Sequence, residues 1–507
     1  MTAESRPFST AYLRYALVLL AVGNLLNYLD RNIIFALFEP IKLDLHVTDA
    51  QLGWLGAAYA IVFSLGALFS GVLSDLVSRR AVLAGGVALW TAATSVGGVI
   101  VTYTQLFATR ALVGIGQSSY LPAAQALLAD YFPRRGRAQA MGIFWTGLAV
   151  GGALAVYLGG VLATAFGWRR ALIFVGLPGL LFALLLGRLR DPAERTKRPA
   201  GPRRRLVLRF DRRTMMRVAT PLVVSQVAAV AVAGSLAMFE NVPGEADTLA
   251  YGVIAGIGLV WSVAVWVRHA RRTTAEGRGA PLDVVDEMVE AANLVLRTPT
   301  LIWLFIGGAL TSASMNSLVA WSTSYLQREL GLSLVAAARH IGPIGITAGV
   351  LGSWAGGRLG DVLFERFAWG RVLAGAAGFV IGAPTCVAML LVNDVRLFAP
   401  MFFVTVFCYT WYNGPVAAVL FDVVPRGVAA TVMGAYIFFI HIAGDAIALP
   451  VVGALSDRLG LRAALLSLPM VGLLGGVVLL FAMFTVSRDM VRAKTAPLGP
   501  TRPALPV

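Results

Sequence analysis

Apolar runs of twenty residues or more recur along this chain with almost no charge inside them. That pattern limits the possible folds more than any other feature. A helix needs about 20 mostly apolar residues to cross the hydrocarbon core of a bilayer. Runs of that kind occupy 11–38, 52–74, 81–104, 106–129, 138–165 and 170–189, then 218–239 and 249–267. A last group occupies 299–327, 335–363, 371–392, 397–421, 428–455 and 461–487. The expectation is an all-α integral membrane protein with about 14 transmembrane helices, grouped six, two and six. The runs are continuous rather than alternating, which argues against a β-barrel. Only 13% of the 507 residues are charged and 58% are hydrophobic, against roughly 25% charged in soluble chains. A soluble multidomain enzyme is excluded on that ground.

The charge that remains is basic, with a net +16. Its bases sit in loops between apolar runs, so they read as topology signals and not as a nucleic-acid surface. With the N-terminus inside, 32 of the 42 Lys and Arg fall on the cytoplasmic side, and Arg31 and Arg110 fall within spans. The loop 240–248 carries Glu240, Glu245 and Asp247 and no base, as an outer loop should. Both termini are therefore expected in the cytoplasm, with the chain multi-pass in the cytoplasmic (inner) membrane. The first run outlasts a signal-peptide core and ends in Asn27-Tyr28-Leu29-Asp30 without a cleavage site, so it reads as an uncleaved span. Cys386 and Cys408 both lie in apolar runs, which leaves no disulfide framework and no Cys-rich metal site.

The two groups of six repeat. Gly71-Val-Leu73-Ser-Asp75 lies at the end of the second span of the first group and Gly357-Arg-Leu359-Gly-Asp361 at the end of the second span of the last group. The resulting domain reading is an N-terminal bundle at 1–190, a basic linker at 191–217 and two inserted helices at 218–267. A cytoplasmic loop at 268–298, with an amphipathic helix over 282–296, leads to a C-terminal bundle at 299–487 and a tail at 488–507. Parallel repeats of this sort put a substrate near the midplane at their interface.

Charge inside the bilayer costs at least about 2.5–3.5 kcal/mol at the centre, so such residues need a function. A rise of 1.5 Å per residue puts Asp30 roughly 7 Å outward of the middle of span 1 and Arg110 roughly 10 Å outward of the middle of span 4. At similar heights the two can pair, with Arg31 alongside, and protonation of Asp30 would release its partner. His441 and Asp445 share a helix face four residues apart and form a second candidate relay. Asp30, His441 and Asp445 are thus the proton-coupling candidates. A fixed salt bridge for Asp30, a packing role for His441 and a helix–helix hydrogen bond for Asp445 are the structural alternatives. Gln117 cannot titrate and reads as a polar contact to substrate or to Arg110.

Tyr409, Trp411 and Tyr412 sit mid-span beside Asn413, away from the interfacial belt where such rings collect. Trp321, Tyr325 and Trp145 can join them in lining an apolar cavity with a few polar groups, which suits an amphiphile better than a sugar. Core packing is the alternative for each ring. The expected substrate contacts are Asn27, Arg31, Arg110, Gln117, Tyr120, Trp321, Tyr325, Trp411 and Asn413. At the loop ends, Asp75, Arg79, Arg80 and Asp361 combine an acid at a helix end with nearby bases, which can latch helices together and serve as a gate. Topology control is the simpler alternative for the arginines.

The stretch from Gly71 through Asp75 to Arg79-Arg80, repeated at 357–361, resembles the inter-helix loop signature of the major facilitator superfamily, with Leu76 and Ser78 in place of its usual base and glycine. Within that superfamily the spinster family is resembled by Asn27-Tyr28-Leu29-Asp30-Arg31, by Thr109-Arg110 through Gly114, Gly116, Gln117 and Tyr120, and by Asp130-Tyr-Phe-Pro133. Trp321 with Tyr325-Leu326, Asn413-Gly414-Pro415, and His441-Ile-Ala-Gly444-Asp445 followed by Pro450, Gly453, Ser456 and Asp457 extend it. The resemblance covers both bundles but not the insert. It departs at Gln117, where the family motif has Glu, and at Ala429, where related sequences carry Arg. It implies the major facilitator fold of two six-helix bundles and transport of lysophospholipids or sphingoid phosphates with proton coupling.

Competing classes lack their residues. The histidines 46, 269, 340 and 441 are scattered, and neither a Gly-x-Ser-x-Gly elbow nor a Cys–His pair occurs, so no catalytic or metal-binding set is expected. No ring of pore-lining charges repeats, as a channel filter would need. The expected protein is not an enzyme. It is a secondary active transporter that moves an amphipathic lipid by alternating access. A proton gradient, not a cofactor, supplies the energy. It works as a monomer among membrane lipids and without nucleic acid. A multidrug or organic-anion carrier of the same superfamily is the alternative.

Overall fold

The computed structural model describes residues 8–76, 78–132, 134–191, 292–424 and 429–495, with scattered helical positions between 220 and 265. The chain divides into two compact units, Met1–Val285 and Asp286–Val507. Among the described residues there is no strand, and ten helices are long and apolar enough to cross a membrane. Most of the inserted runs 218–239 and 249–267, the linker 192–217 and most of 282–296 lie outside the described residues.

In the first unit the helices are α1 (Thr10–Ala36), α2 (Phe38–Leu45), α3 (Asp49–Leu76), α4 (Arg79–Val96), α5 (Tyr103–Ser118), α6 (Tyr120–Tyr131), α7 (Arg134–Phe166) and α8 (Trp168–Gly187). Polar residues start them where the sequence offers caps. Ser9 accepts from the Tyr12 amide, and Thr102 with Gln105 forms a reciprocal capping box at α5, which satisfies amides that the helix leaves open. The fourth apolar run, continuous in sequence, is split at Ser119 into α5 and α6. The first run gives way to the short α2 at its C-terminal end.

The second unit holds α9 (Pro299–Glu329), α10 (Leu334–Arg366), α11 (Gly370–Leu391), α12 (Val395–Tyr409), a 3-10 turn at Thr410–Tyr412 and α13 (Asn413–Asp422). It continues with α14 (Ala429–Ile440), a π turn at His441–Asp445, α15 (Ala446–Leu459), α16 (Leu461–Phe481) and α17 (Met483–Thr495). Two runs read as unbroken spans, 397–421 and 428–455, are therefore interrupted at their middles. The last span ends at Phe481, six residues before its expected limit, because the chain turns at Ala482 into a separate amphipathic helix.

The repeat seen in sequence returns in packing. α3 lies along α5, α4 along α5 and α4 along α8; in the second unit α10 lies along α12, α11 along α12 and α11 along α16. The turns that open α8 and α16 match as well. Gly167 has φ 85° and Gly460 has φ 86°, a left-handed conformation that glycine adopts without a Cβ clash. Two residues on, Arg169 bonds Asp44 (2.5 Å) and the Ile100 carbonyl (3.1 Å). Arg462 likewise pairs with Glu329 (3.1 Å) and bonds Asn393 (2.7 Å). One turn geometry thus places one arginine clamp at corresponding ends of both units.

Candidate functional site

The first polar centre rests on a close helix approach. A Cβ on Gly116 would fall 2.7 Å from both the Gly86 carbonyl and the Trp90 amide, so only glycine lets α4 and α5 touch backbone to backbone. Two turns away along α4, Thr94 faces Asp30 of α1 and Arg110 of α5. The Thr94 hydroxyl bonds both carboxylate oxygens of Asp30, at 2.7 and 2.8 Å, and accepts from Arg110 Nη2 at 3.3 Å. Arg110 Nη1 lies 3.9 Å from Asp30 Oδ1, and the two side chains are 1% and 3% exposed. The pairing expected from helix depth is present, with a residue between the charges that sequence reasoning passed over. Threonine is common in spans, and nothing in its own neighbourhood marked it.

Thr94→Val keeps the shape and removes the hydroxyl, so it is expected to cost about 1–3 kcal/mol, the price of a buried acceptor left short of a donor. Thr94→Ser should recover most of it. Thermal melting of the purified protein in detergent measures both, and a valine variant as stable as wild type refutes the bridging role.

Arg31 does not join that pair. Its guanidinium lies over the rings of Tyr59 (5.1 Å), Phe63 (5.7 Å) and Tyr28 (5.9 Å), where the ring quadrupoles stabilise a desolvated cation. Gln117 contacts neither Arg110 nor open space. It accepts from the Tyr59 hydroxyl (2.9 Å) and donates to the Asn27 carbonyl (3.2 Å), tying α1, α3 and α5 together. Among the described residues, Asn27 Nδ2 and Arg110 Nε are buried donors with no hydrogen-bond partner.

The second centre sits on the π turn. Asp445, 3% exposed, bonds Ser312 (2.7 Å), Asn316 (2.9 and 3.0 Å) and His441 Nδ1 (2.6 Å). The π turn at His441–Asp445 carries the Asp445 carboxylate against Ser312 and Asn316 of α9; π turns of this kind often mark functional positions. Ser312 and Asn316 were missed because a Ser/Thr-rich span reads as small-residue helix packing. The His441–Asp445 pair itself was legible from its spacing.

Several expected substrate contacts are held within the core of their unit. Tyr120 donates to the Leu20 carbonyl (2.7 Å), and its ring packs on Trp90 and Phe144. Tyr325 donates to the Leu390 carbonyl (2.7 Å) and stacks on Phe398, and Trp321 is fully buried. A ring that bonds a backbone carbonyl in the bundle core is held there by the bilayer's lack of water. Trp411 is half-buried against Phe407, and Asn413 is exposed at the start of α13.

The gate candidates form a repeated motif. Arg79, which opens α4, pairs with Asp130 at the end of α6, and its amide donates to Asp191 at 2.9 Å. Arg371 near the start of α11 pairs with Asp422 at the end of α13 (2.6 Å) and with Asp361 of α10 (2.8 Å). The latch arginine of the second unit is thus Arg371, outside the expected set. Arg80 is half-buried beside Arg79, and the side chain of Asp75 lies outside the described residues.

The family model of the Major Facilitator Superfamily matches residues 20–244 and 218–444. An MFS-type efflux pump of Mycolicibacterium smegmatis is 26% identical over 446 residues, 88% of this chain and 84% of that protein. Protein spinster of Drosophila melanogaster is 30% identical over 179 residues, which are 35% of this chain and 30% of that one. The cephamycin export protein of Amycolatopsis lactamdurans is 33% identical over 185 residues, 35% of this chain and 37% of that one. With the last two relatives the chain thus aligns over about a third of their length. Among solved structures, a bacterial homolog to the human lysosomal transporter spinster, inward-facing and unoccupied, superposes with a TM-score of 0.71 at 19% identity, covering 95% of this chain and 99% of that one.

Proposed function

This chain belongs to the major facilitator superfamily, and from that premise we propose that it is a proton-coupled transporter of an amphipathic lipid with an anionic head, lysophospholipid-like or sphingoid-like. The membership itself makes it a multi-pass membrane transporter of small molecules and not an enzyme. The observation that carries the finer reading is the buried Asp30–Thr94–Arg110 centre. Arg110 Nε and Asn27 Nδ2 supply unsatisfied donors that an anionic head group would fill, and Arg31 adds positive charge on the same helix. Protonating Asp30 removes the counter-charge of Arg110, which then binds a substrate anion more strongly; releasing the proton restores the internal pair. That exchange ties proton and substrate occupancy together without a cofactor. Asp445 and His441 are the second protonation pair in this reading, Trp411 and Asn413 contribute to the substrate surface, and Arg79, Asp75, Arg80 and Asp361 act in the gate. The protein works as a monomer in the cytoplasmic membrane with both termini in the cytoplasm, by alternating access.

A multidrug or organic-anion carrier is the second reading. Gln117 favours it, because both ends of its amide are engaged by protein and it carries no titrating group. The long alignment with an efflux pump favours it as well.

Uptake of labelled lysophospholipid into proteoliposomes, with membrane potential clamped, distinguishes the two. One pH unit is worth about 1.4 kcal/mol per proton, so accumulation should change about tenfold with an imposed unit gradient and the Asp30→Asn protein should ignore it. Accumulation blind to the gradient in both proteins sinks the coupling. Absence of lipid movement, with transport of unrelated drugs that compete with one another, establishes the second reading.

A further inference from the structure

The helix α17 has two faces with different chemistry. Inward it buries Val486, Asp489 and Met490. Asp489 Oδ2 accepts from the Thr300 amide (3.0 Å) and the Thr300 hydroxyl (2.7 Å), and Thr485 bonds the same hydroxyl (2.7 Å). Asp489 therefore caps the N-terminus of α9, where open amides and the helix dipole favour a carboxylate. Outward, at helical spacing, it presents Phe484, Arg488, Val491 and Arg492. Phe484 is 85% exposed and Val491 62%; Arg488 is 68% exposed. Thr485 and Asp489 are the polar residues that face the bundle; Arg488 Nε lies 3.5 Å from Asp489 Oδ1 while the Arg488 side chain as a whole stays largely exposed.

A phenylalanine left this exposed beside two arginines, on a helix that follows a membrane span after a single turn residue, has the composition of a segment lying in the headgroup layer. Arginine stems cover apolar surface while their heads stay in the polar zone. We propose that α17 is an interfacial helix whose outward stripe docks on anionic phospholipid headgroups, and that Asp489 passes this anchorage to the start of α9. The anchored helix α9 carries Ser312 and Asn316, the partners of Asp445, so the membrane surface and the second polar centre share one rigid element. The inference does not depend on which solute is carried.

Hydrogen exchange of the full chain in nanodiscs tests it, comparing phosphatidylcholine alone with a mixture containing 30% phosphatidylglycerol, about a third of the lipid in each leaflet. With both leaflets anionic, the result is independent of topology. Two bases near an anionic surface correspond to roughly 30-fold in the docking equilibrium, so amides of 484–492 should exchange about that much more slowly in the mixed discs. Arg488→Gln with Arg492→Gln should abolish the difference, and Phe484→Ser should weaken protection in both lipids. Equal exchange in the two compositions overturns the proposal. Equal and strong protection would assign the stripe to a protein cover, such as the acidic segment 283–290. Transport assays run in parallel can fail without affecting this result.

Discussion

Arg110→Leu is expected to cost about 3–5 kcal/mol of stability, because it leaves the Asp30 carboxylate charged and unpaired inside the bundle. Neither partner reaches water, at 1% and 3% exposure, and the bilayer supplies none. Asp30→Asn strands the guanidinium in its turn and is expected to be similarly costly. The double variant Asp30→Asn with Arg110→Leu removes both charges and should regain most of the loss, since a buried pair exchanged for neutral groups of similar size is often nearly neutral. The two positions share Thr94 and are in contact, so their effects should couple strongly and not add. Melting temperatures of the four proteins in one detergent give the coupling directly. Simple addition of the two single losses would show that the pair is not an energetic unit. Transport then separates structure from coupling. A folded double variant that still moves substrate but ignores an imposed pH gradient makes Asp30 the proton carrier, whereas one that keeps its gradient response makes the pair a brace.

The span pattern was legible from length and hydropathy alone, because the membrane forces backbone hydrogen bonding into helices. The breaks within spans were less so. Ser119, Thr410–Tyr412 and His441–Asp445 lie in runs that stay apolar when averaged over the length of a span, and averaged hydropathy carries no information about local hydrogen-bond phase. The depth argument found Asp30 with Arg110 because two charges in a bilayer are rare and conspicuous. Height also put Arg31 alongside the pair, but height does not give the direction in which a side chain points, and its guanidinium lies over Tyr59 and Phe63. Neighbouring residues on a helix point about 100° apart, so Arg31 turns to Tyr59 and Phe63 of α3 while Asp30 turns to α4. Gln117 was read as a polar contact to substrate or to Arg110, yet its amide serves as a double-ended brace between Tyr59 and the Asn27 carbonyl. At the latch, Asp361 was found from a repeated motif while Arg371 was not, since its reach across to Asp422 is a tertiary fact with no signal in spacing.

The second large effect is expected at Asp445. Its carboxylate satisfies Ser312, Asn316 and His441 together, so Asp445→Leu leaves three polar groups without their acceptor. Each buried unsatisfied group costs about 1–3 kcal/mol. The losses share one site and will not add fully, so roughly 3–5 kcal/mol is expected, with α9 loosened from the π turn. Asp445→Asn retains the volume and one accepting oxygen but turns its amide donors toward Asn316 Nδ2, itself a donor, and should fall between leucine and wild type. His441→Gln is the informative companion. Glutamine can donate to Asp445 from a similar position without titrating, whereas histidine is the side chain that changes charge near neutral pH. If this centre carries a proton, the glutamine variant should melt like wild type and transport with a flatter pH profile. An unchanged profile in a folded His441→Gln protein would make Asp445 a carboxylate fixed in place to join the π turn to α9, and proton coupling would then rest on Asp30 alone.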